Sequence, residues 1–250
     1  MNRTFVWGHR GAGFSGVQNS IASFQKAIEM GVDGIKTEAQ LSKDNEIFLT
    51  FQQNLNLNGN SIPISKLDKD KIKKFKLENG ESIPTLPELF ENFRNHEIGY
   101  NFDIRTPEIG IRIIEIAREF NVLDKIEIAK SSIDSRPLSK IFSKIRNFDK
   151  NVKLSNSVFL KYSNLEEKHL ELESMNKLNI GCINVNYNIA NFELFKLVIS
   201  KGFKFCVWGV LFKRNMEDFL KMKYQGRYID EIMSNFPERL VELRDKIQNN

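Results

Sequence analysis

Cysteine is nearly absent from this chain. Two residues, Cys182 and Cys206, occur in 250, which excludes a disulfide-framework protein and zinc-finger spacing. Both sit inside apolar, strand-like runs, so they are expected to be buried free thiols, a usage that fits a reducing compartment. No run approaches the roughly 18–20 apolar residues of a membrane-spanning helix, so no membrane span is expected. A strand-like segment begins by Thr4 and leaves no room for a secretory leader, which makes a cytoplasmic location the expectation. Histidine is scarce at three residues, leaving few candidates for proton transfer. The net charge of +5 and pI near 9.0 come without an RNP motif, a finger or an arginine-rich arm. Scattered lysines, with one cluster from Lys66 to Lys76, read as a solvated surface, and no nucleic-acid partner is expected.

What is present is an ordinary globular balance, 41% hydrophobic and 28% charged, in a length that suits one large domain spanning 1–250. Short apolar runs alternate with helical patterns from end to end, the signature of parallel strands joined by crossover helices. Strands are expected at Phe5–Gly8, Gly34–Ala39, Ile47–Phe51, Gly99–Ile104, Ile126–Ala129, Val152–Leu154, Cys182–Val185, Lys204–Val207 and Ile229–Met233. That is one more than an eight-stranded barrel needs. Helices are expected at Ser20–Met30, Pro87–Phe93, Gly110–Phe120, Phe192–Ser200, Arg214–Met222 and Glu238–Ile247. The first places Ile21, Phe24, Ala27 and Ile28 on one face. Asn19 or Ser20 can cap it. The polar stretch from Asn54 to Glu81 breaks the alternation and is too long for a plain connection. It reads either as a lid or small subdomain inserted after the third strand, or as an exposed loop.

The segment from His9 to Gln53 carries most of the chemical information. It runs from Gly8-His-Arg-Gly11, through an amphipathic helix, to Lys36-Thr-Glu38 and a short strand ending at Phe51-Gln52. This order resembles the glycerophosphodiester phosphodiesterase family, whose pattern is HRG, PENT, ExD ahead of TKDG, and a strand ending in HD. Further landmarks follow in the family's order, in Ile83-Pro-Thr-Leu-Pro-Glu-Leu89, Tyr100-Asn-Phe-Asp-Ile-Arg105, Lys130-Ser-Ser-Ile-Asp134, Phe205-Cys-Val-Trp-Gly-Val210 and Tyr228–Pro237. The resemblance implies a (β/α)8 TIM barrel with a small insertion, its site at the carboxyl ends of the strands.

The resemblance also implies a phosphoric diester hydrolase of lipid metabolism, with two histidines moving protons and a carboxylate-held Mg2+ or Ca2+ meeting the phosphoryl charge. His9, Arg10 and Gly11 fall on the family's HRG. The family's first metal-binding Glu falls on Lys36, and its Asp on Glu38. Its second catalytic His falls on Phe51 and the following Asp on Gln52. His9 and Lys36 are therefore the catalytic candidates. Arg10, Arg105 and Trp208 are candidates for holding a phosphate ester, with Lys130 adding charge. Glu38 and Asp103 are a thin remnant of a metal site, so the expected cofactor is none or a weakly held Mg2+ or Ca2+. Lys36 can repel a cation, replace it beside the phosphate, or pair with Glu38 or Asp103 in an abandoned site. Three functions stay open. One is a pseudoenzyme-like binder of a small-molecule phosphate ester of glycerol or another polyol, with metal-dependent hydrolysis impaired or lost. Another is a metal-independent phosphodiesterase or lyase using Lys36 and His9. The third is a non-catalytic interaction scaffold.

Overall fold

The computed structural model describes residues 3–57, 59–161 and 165–249. Asn58, within the expected insertion, and the extreme ends of the chain lie outside the described residues. Eight parallel strands close on themselves in sequence order: Phe5–His9, Gly34–Leu41, Gly99–Ile104, Ile126–Lys130, Lys153–Ser157, Cys182–Asn186, Lys204–Trp208 and Glu231–Ser234. Closure is direct. Gly8 pairs with Ser234 on one side and with Ile35 on the other. Helices wrap the outside, and the fold is a (β/α)8 TIM barrel.

The supernumerary strand is Ile47–Leu49. It runs antiparallel to the outer part of Gly34–Leu41, pairing Leu49 with Ala39, and is not a barrel stave. The insertion therefore lies between the second and third barrel strands. It is not a bare loop. A hairpin of Asn54–Leu57 and Asn60–Pro63 leads into a short helix, Lys69–Lys73. Phe48, Leu55, Ile64, Leu67, Ile72 and Ile83 form its own small core. Its lysines are partly neutralised, Lys69 by Glu46, Lys71 by Asp68 and Lys73 by Glu88.

Local chemistry explains the helices. Ser20 accepts a hydrogen bond from the Ser23 backbone and caps Ile21–Glu29. Thr85 and Glu88 form a capping box on Leu86–Phe93, with Pro87 in the first turn. Besides the short helix of the insertion, two α-helices among the described residues were not expected. Leu138–Phe148 carries a buried stripe of Leu138, Ile141, Phe142 and Ile145, a legible helical spacing. Leu172–Lys177 buries only Met175 and is too short to show a period.

The lumen is unusually polar. With a period of two, the inward positions include Lys36, Asn101, Ser155 and Asn184, together with Trp7, Glu127, Cys206 and Glu231. Trp7 Nε1 donates to Glu231 at 2.7 Å, Asn101 Nδ2 to Glu127 at 2.5 Å, and Lys204 Nζ to Glu231 at 3.1 Å. Burial, and then the neighbouring Glu231 charge, push the Glu127 carboxyl well above its usual range.

The cysteines correct an expectation. Cys182 and Cys206 are joined in a disulfide rather than standing as free thiols. They lie on neighbouring staves, where Lys204 pairs with Cys182 and Cys206 with Asn184. Both side chains thus enter the same lumen one pleat apart. Adjacency around a closed barrel, invisible along 24 residues of sequence, brings them together. The cysteine argument for a reducing compartment falls with it. Among the described residues no helix is long and apolar enough to cross a membrane.

The aromatic packing under Leu86–Phe93 gives a stability test. Phe90 is fully buried, with its ring 5.3 Å from Tyr100 and 5.6 Å from Phe120. Phe90→Ala is expected to cost about 3–5 kcal/mol. Urea unfolding should show a lower midpoint at unchanged slope, and a loss under about 1 kcal/mol would contradict this packing.

Candidate active site

Every candidate from the sequence except Lys130 reaches one cavity at the carboxyl ends of the strands. It has a volume of about 330 Å³ and is lined by His9, Arg10, Lys36, Glu38, Asp103, Arg105 and Trp208, along with Phe51, Ser132, Ser157 and Asn184. Lys130 is turned away. Its ammonium donates to the Asp134 and Arg136 carbonyls, closing the turn that follows its strand, so it adds no charge to the cavity.

His9 ends the first strand. Its Nδ1 sits 2.5 Å from Asn235 Oδ1. An amide oxygen only accepts, so Nδ1 carries the proton and Nε2 keeps its lone pair. Nε2 lies 4.0 Å from Glu38 Oε1. Burial pulls the imidazole below its ordinary value; Glu38 opposes that, and Arg10 and Lys36 reinforce it.

The next residues need a special backbone. Arg10 has φ of 56° and Gly11 of 86°. A Cβ on Gly11 would come within 2.6–2.7 Å of Ser23, so the glycine is required where the chain turns back under the first helix. That turn sends Arg10 across the mouth. Its guanidinium donates to Glu38 Oε1 through Nε at 2.8 Å and lies over the Phe51 ring at 4.5 Å. Asn19 donates to the other Glu38 oxygen at 3.1 Å. Helix capping falls to Ser20, so Asn19 is free to orient Glu38. Burial alone would raise the Glu38 carboxyl, but His9, Arg10 and Asn19 together hold it below its ordinary value.

Lys36 lies in the barrel's interior with its side chain 2% exposed, in ion-pair contact with Asp103. No other described residue offers it a hydrogen bond. Burial lifts the Asp103 carboxyl above its ordinary value despite the attraction of Lys36, and the nearby Glu38 charge adds to the lift. Arg105 is different. Among the described residues it has no ion-pair partner and lines the cavity as a free guanidinium. Two polar atoms facing this region are also unpartnered, the Trp208 indole N–H and Asn184 Oδ1. His96 is exposed on the outside, and His169 lies in the 3-10 turn Glu167–Leu170.

Ser157 and Asn184 were not anticipated. Ser157 lies beyond the expected strand end at Leu154, and Asn184 lies inside the expected strand Cys182–Val185, whose apolar Ile183 and Val185 carried the reading. The inward positions of these strands are polar and the apolar residues face outward, the reverse of the usual core-facing pattern. Strand register counted outward from Leu154 would have exposed Ser157.

Residues 9–234 match the profile of the Glycerophosphoryl diester phosphodiesterase family. The chain belongs to this family. A glycerophosphodiester phosphodiesterase of Caldanaerobacter subterraneus is 27% identical over 96% of this chain and 98% of its own. A human lysophospholipase D is 24% identical over 45% of this chain and 40% of its own. Among solved structures, an Oleispira antarctica phosphodiesterase in complex with the product sn-glycerol-3-phosphate superposes with a TM-score of 0.80 at 15% identity, covering 97% of each chain. A Parabacteroides distasonis glycerophosphodiester phosphodiesterase gives 0.77 at 19% identity over 98% of each.

His9 supplies a titration test. Its folded pKa is lowered from 6.5, so NMR should find it more than half neutral at pH 6.5, with its midpoint below. The unfolded imidazole takes its proton first as pH falls. The folded state therefore loses stability from about 6.5 down to the depressed folded value, and no further below it. His9→Gln should remove that component from urea unfolding series. A His9 titrating above 6.5 would contradict the geometry.

Proposed function

We propose that this cavity binds the phosphate of a glycerol or other polyol phosphate ester without a divalent cation, and that metal-dependent hydrolysis is impaired or lost. The observation that carries the reading is how the charges are already spent. Glu38 is engaged by Arg10 and Asn19, and Asp103 by Lys36. A hard cation such as Mg2+ or Ca2+ seeks about six or more oxygen ligands. It would have to strip Arg10 from Glu38 and lie beside the buried Lys36 ammonium. The donor set does not fit such an ion.

The same tally favours an anion. Three cations, Arg10, Lys36 and Arg105, line the cavity against two carboxylates, Glu38 and Asp103, with His9 neutral. The surplus of one positive charge matches the single charge of a phosphodiester. Arg105, whose guanidinium has no ion-pair partner among the described residues, is the group free to bind phosphate through two N–H donors. Ser132, Ser157 and Asn184 offer hydroxyl and amide groups to the polyol, with Trp208 as a wall. Membership in the family and the glycerol-3-phosphate bound to the Oleispira relative support this substrate class.

A second reading rests on His9. With Nδ1 held by Asn235, its Nε2 can accept a proton, but Phe51 occupies the place of a second proton carrier. Loss of one acid or base costs roughly 10²–10⁴ in rate. A substrate whose own neighbouring hydroxyl attacks phosphorus lowers the demand. His9 would take the hydroxyl proton and then return it to the departing alkoxide, leaving a cyclic phosphate, with Lys36 and Arg105 bearing the charge. A scaffold without any ligand is the remaining alternative.

Thermal-shift titrations with sn-glycerol 3-phosphate and a soluble glycerophosphodiester separate these. Stabilisation that ignores EDTA is expected, because a ligand bound only to the folded state raises the melting temperature by mass action. Arg105→Ala should weaken it about tenfold or more. Stabilisation seen only with Mg2+ or Ca2+ would overturn the proposal, and no stabilisation at all would favour the scaffold. EDTA-resistant turnover lost in Lys36→Met would favour the second reading.

A further inference from the structure

Large hydrophobic side chains that remain exposed in this fold are not scattered. Seven are exposed among the described residues, and six lie at the end of the barrel where the cavity opens: Phe14, Phe51, Ile133, Leu160, Phe192 and Phe212, between 42% and 63% exposed. The seventh, Phe148, ends a helix at the opposite face. Topology puts the six together. Phe14 follows the first strand and packs edge-on against Phe236, just past the last strand, with ring centroids 5.4 Å apart. Phe51, Ile133 and Leu160 line the cavity's outer wall. The Leu160 backbone N–H bonds to the Ser132 carbonyl, fixing two of these loops together. Phe192 opens the helix after the sixth stave, and Phe212 precedes the helix after the seventh.

Single exposed apolar residues are ordinary, but a ring of them on one face marks an interaction surface. The neighbouring charges select the partner. Exposed Lys161 follows Leu160, exposed Lys213 and Arg214 follow Phe212, and Arg10 lies over Phe51. Phe192 and Ile133 are exceptions, followed by Glu193 and by Asp134, the latter paired with exposed Arg136. Aromatic and aliphatic side chains interleaved with cations, on loops of different staves, suit a surface that is apolar just below a negatively charged layer. They do not form a continuous groove that would seat one peptide or helix.

We infer that the rim of the barrel mouth docks on an anionic lipid bilayer, with Phe14, Phe51, Ile133, Leu160, Phe192 and Phe212 entering the interface and Lys161, Lys213 and Arg214 meeting the headgroups. No spanning helix is needed, because the contact is peripheral. The docking stands apart from the cavity's chemistry. That the bilayer also presents phosphodiesters to the cavity rests on the phosphate-ester reading above.

Co-sedimentation of the full chain with vesicles tests it, comparing phosphatidylcholine alone with phosphatidylcholine mixed with phosphatidylglycerol. The protein should pellet with the mixed vesicles and far less with the neutral ones. Phe14→Ser combined with Phe212→Ser should lower partitioning about tenfold or more, while Phe148→Ser leaves it unchanged. Neither rim residue touches the cavity, so the double variant should keep the wild-type thermal shift with sn-glycerol 3-phosphate. That readout reports on the phosphate-ester reading separately and also shows that the variant folds. A wild type that stays in the supernatant, or a double variant that pellets like wild type, would overturn the inference. So would self-association in sedimentation velocity that the double variant abolishes without any vesicle binding, which would make the rim a contact between copies.

Discussion

An ammonium inside a barrel must find negative charge, and that requirement organises the mouth of this one. Lys36 is buried to 2%, where an unpaired charge would cost several kcal/mol. Asp103, on the neighbouring stave and in register with Glu38, supplies the partner. Once Asp103 is committed, Glu38 is the remaining carboxylate of the cavity, and it is taken by Arg10. The strained turn at Arg10 and Gly11 exists where it can deliver that guanidinium. Asn19, freed from capping by Ser20, fixes the other oxygen of Glu38. One substitution-like feature of the sequence, a lysine between Ile35 and Thr37, thus propagates through four side chains.

The same principle runs through the lumen below. Apolar side chains pack the barrel to its helices, while the interior carries Ser155 and Asn184 beside Asn101, Glu127 and Glu231, the last three held by directed hydrogen bonds. Polar groups in such a space must be partnered. Trp7 and Lys204 satisfy Glu231, and Asn101 satisfies Glu127. Among the described residues some polar atoms still lack a hydrogen-bond partner, Asn101 Oδ1 in the lumen as well as Asn184 Oδ1 and the Trp208 indole N–H nearer the mouth. The apolar rim continues outward, from charged cavity to exposed aromatic residues.

Much of this was legible before any coordinates. The Gly8-His-Arg-Gly11 turn, the Lys36-Thr-Glu38 stave and the Asp103–Arg105 stave end each marked one side of the mouth, because barrel chemistry gathers where strands end. Which of the nine expected strands stands outside the barrel was open in the sequence, because a short apolar run such as Ile47–Leu49 has no direction there. Only its antiparallel register with Gly34–Leu41 shows that it leaves the barrel. Lys130 was misread because a strand-end lysine can turn inward or cap its own loop, and here the Asp134 and Arg136 carbonyls are closer. Ser157 and Asn184 escaped notice because the strands were read from their outward apolar residues, while the inward ones are polar.

The sequence by itself determined the fold class, the stave ends that line the cavity, and the identity of the residues standing there, Lys36 and Phe51 among them. These follow from local patterns and residue identity, which a chain carries wherever it is read. Tertiary structure alone decided which carboxylate each cation takes, that Arg105 has no ion-pair partner among the described residues, that Cys182 meets Cys206, and that six exposed apolar side chains share one rim. Each of those is a distance between residues far apart in sequence, fixed by the closure and stagger of eight staves. Pairing energy depends on such distances, and composition cannot express them.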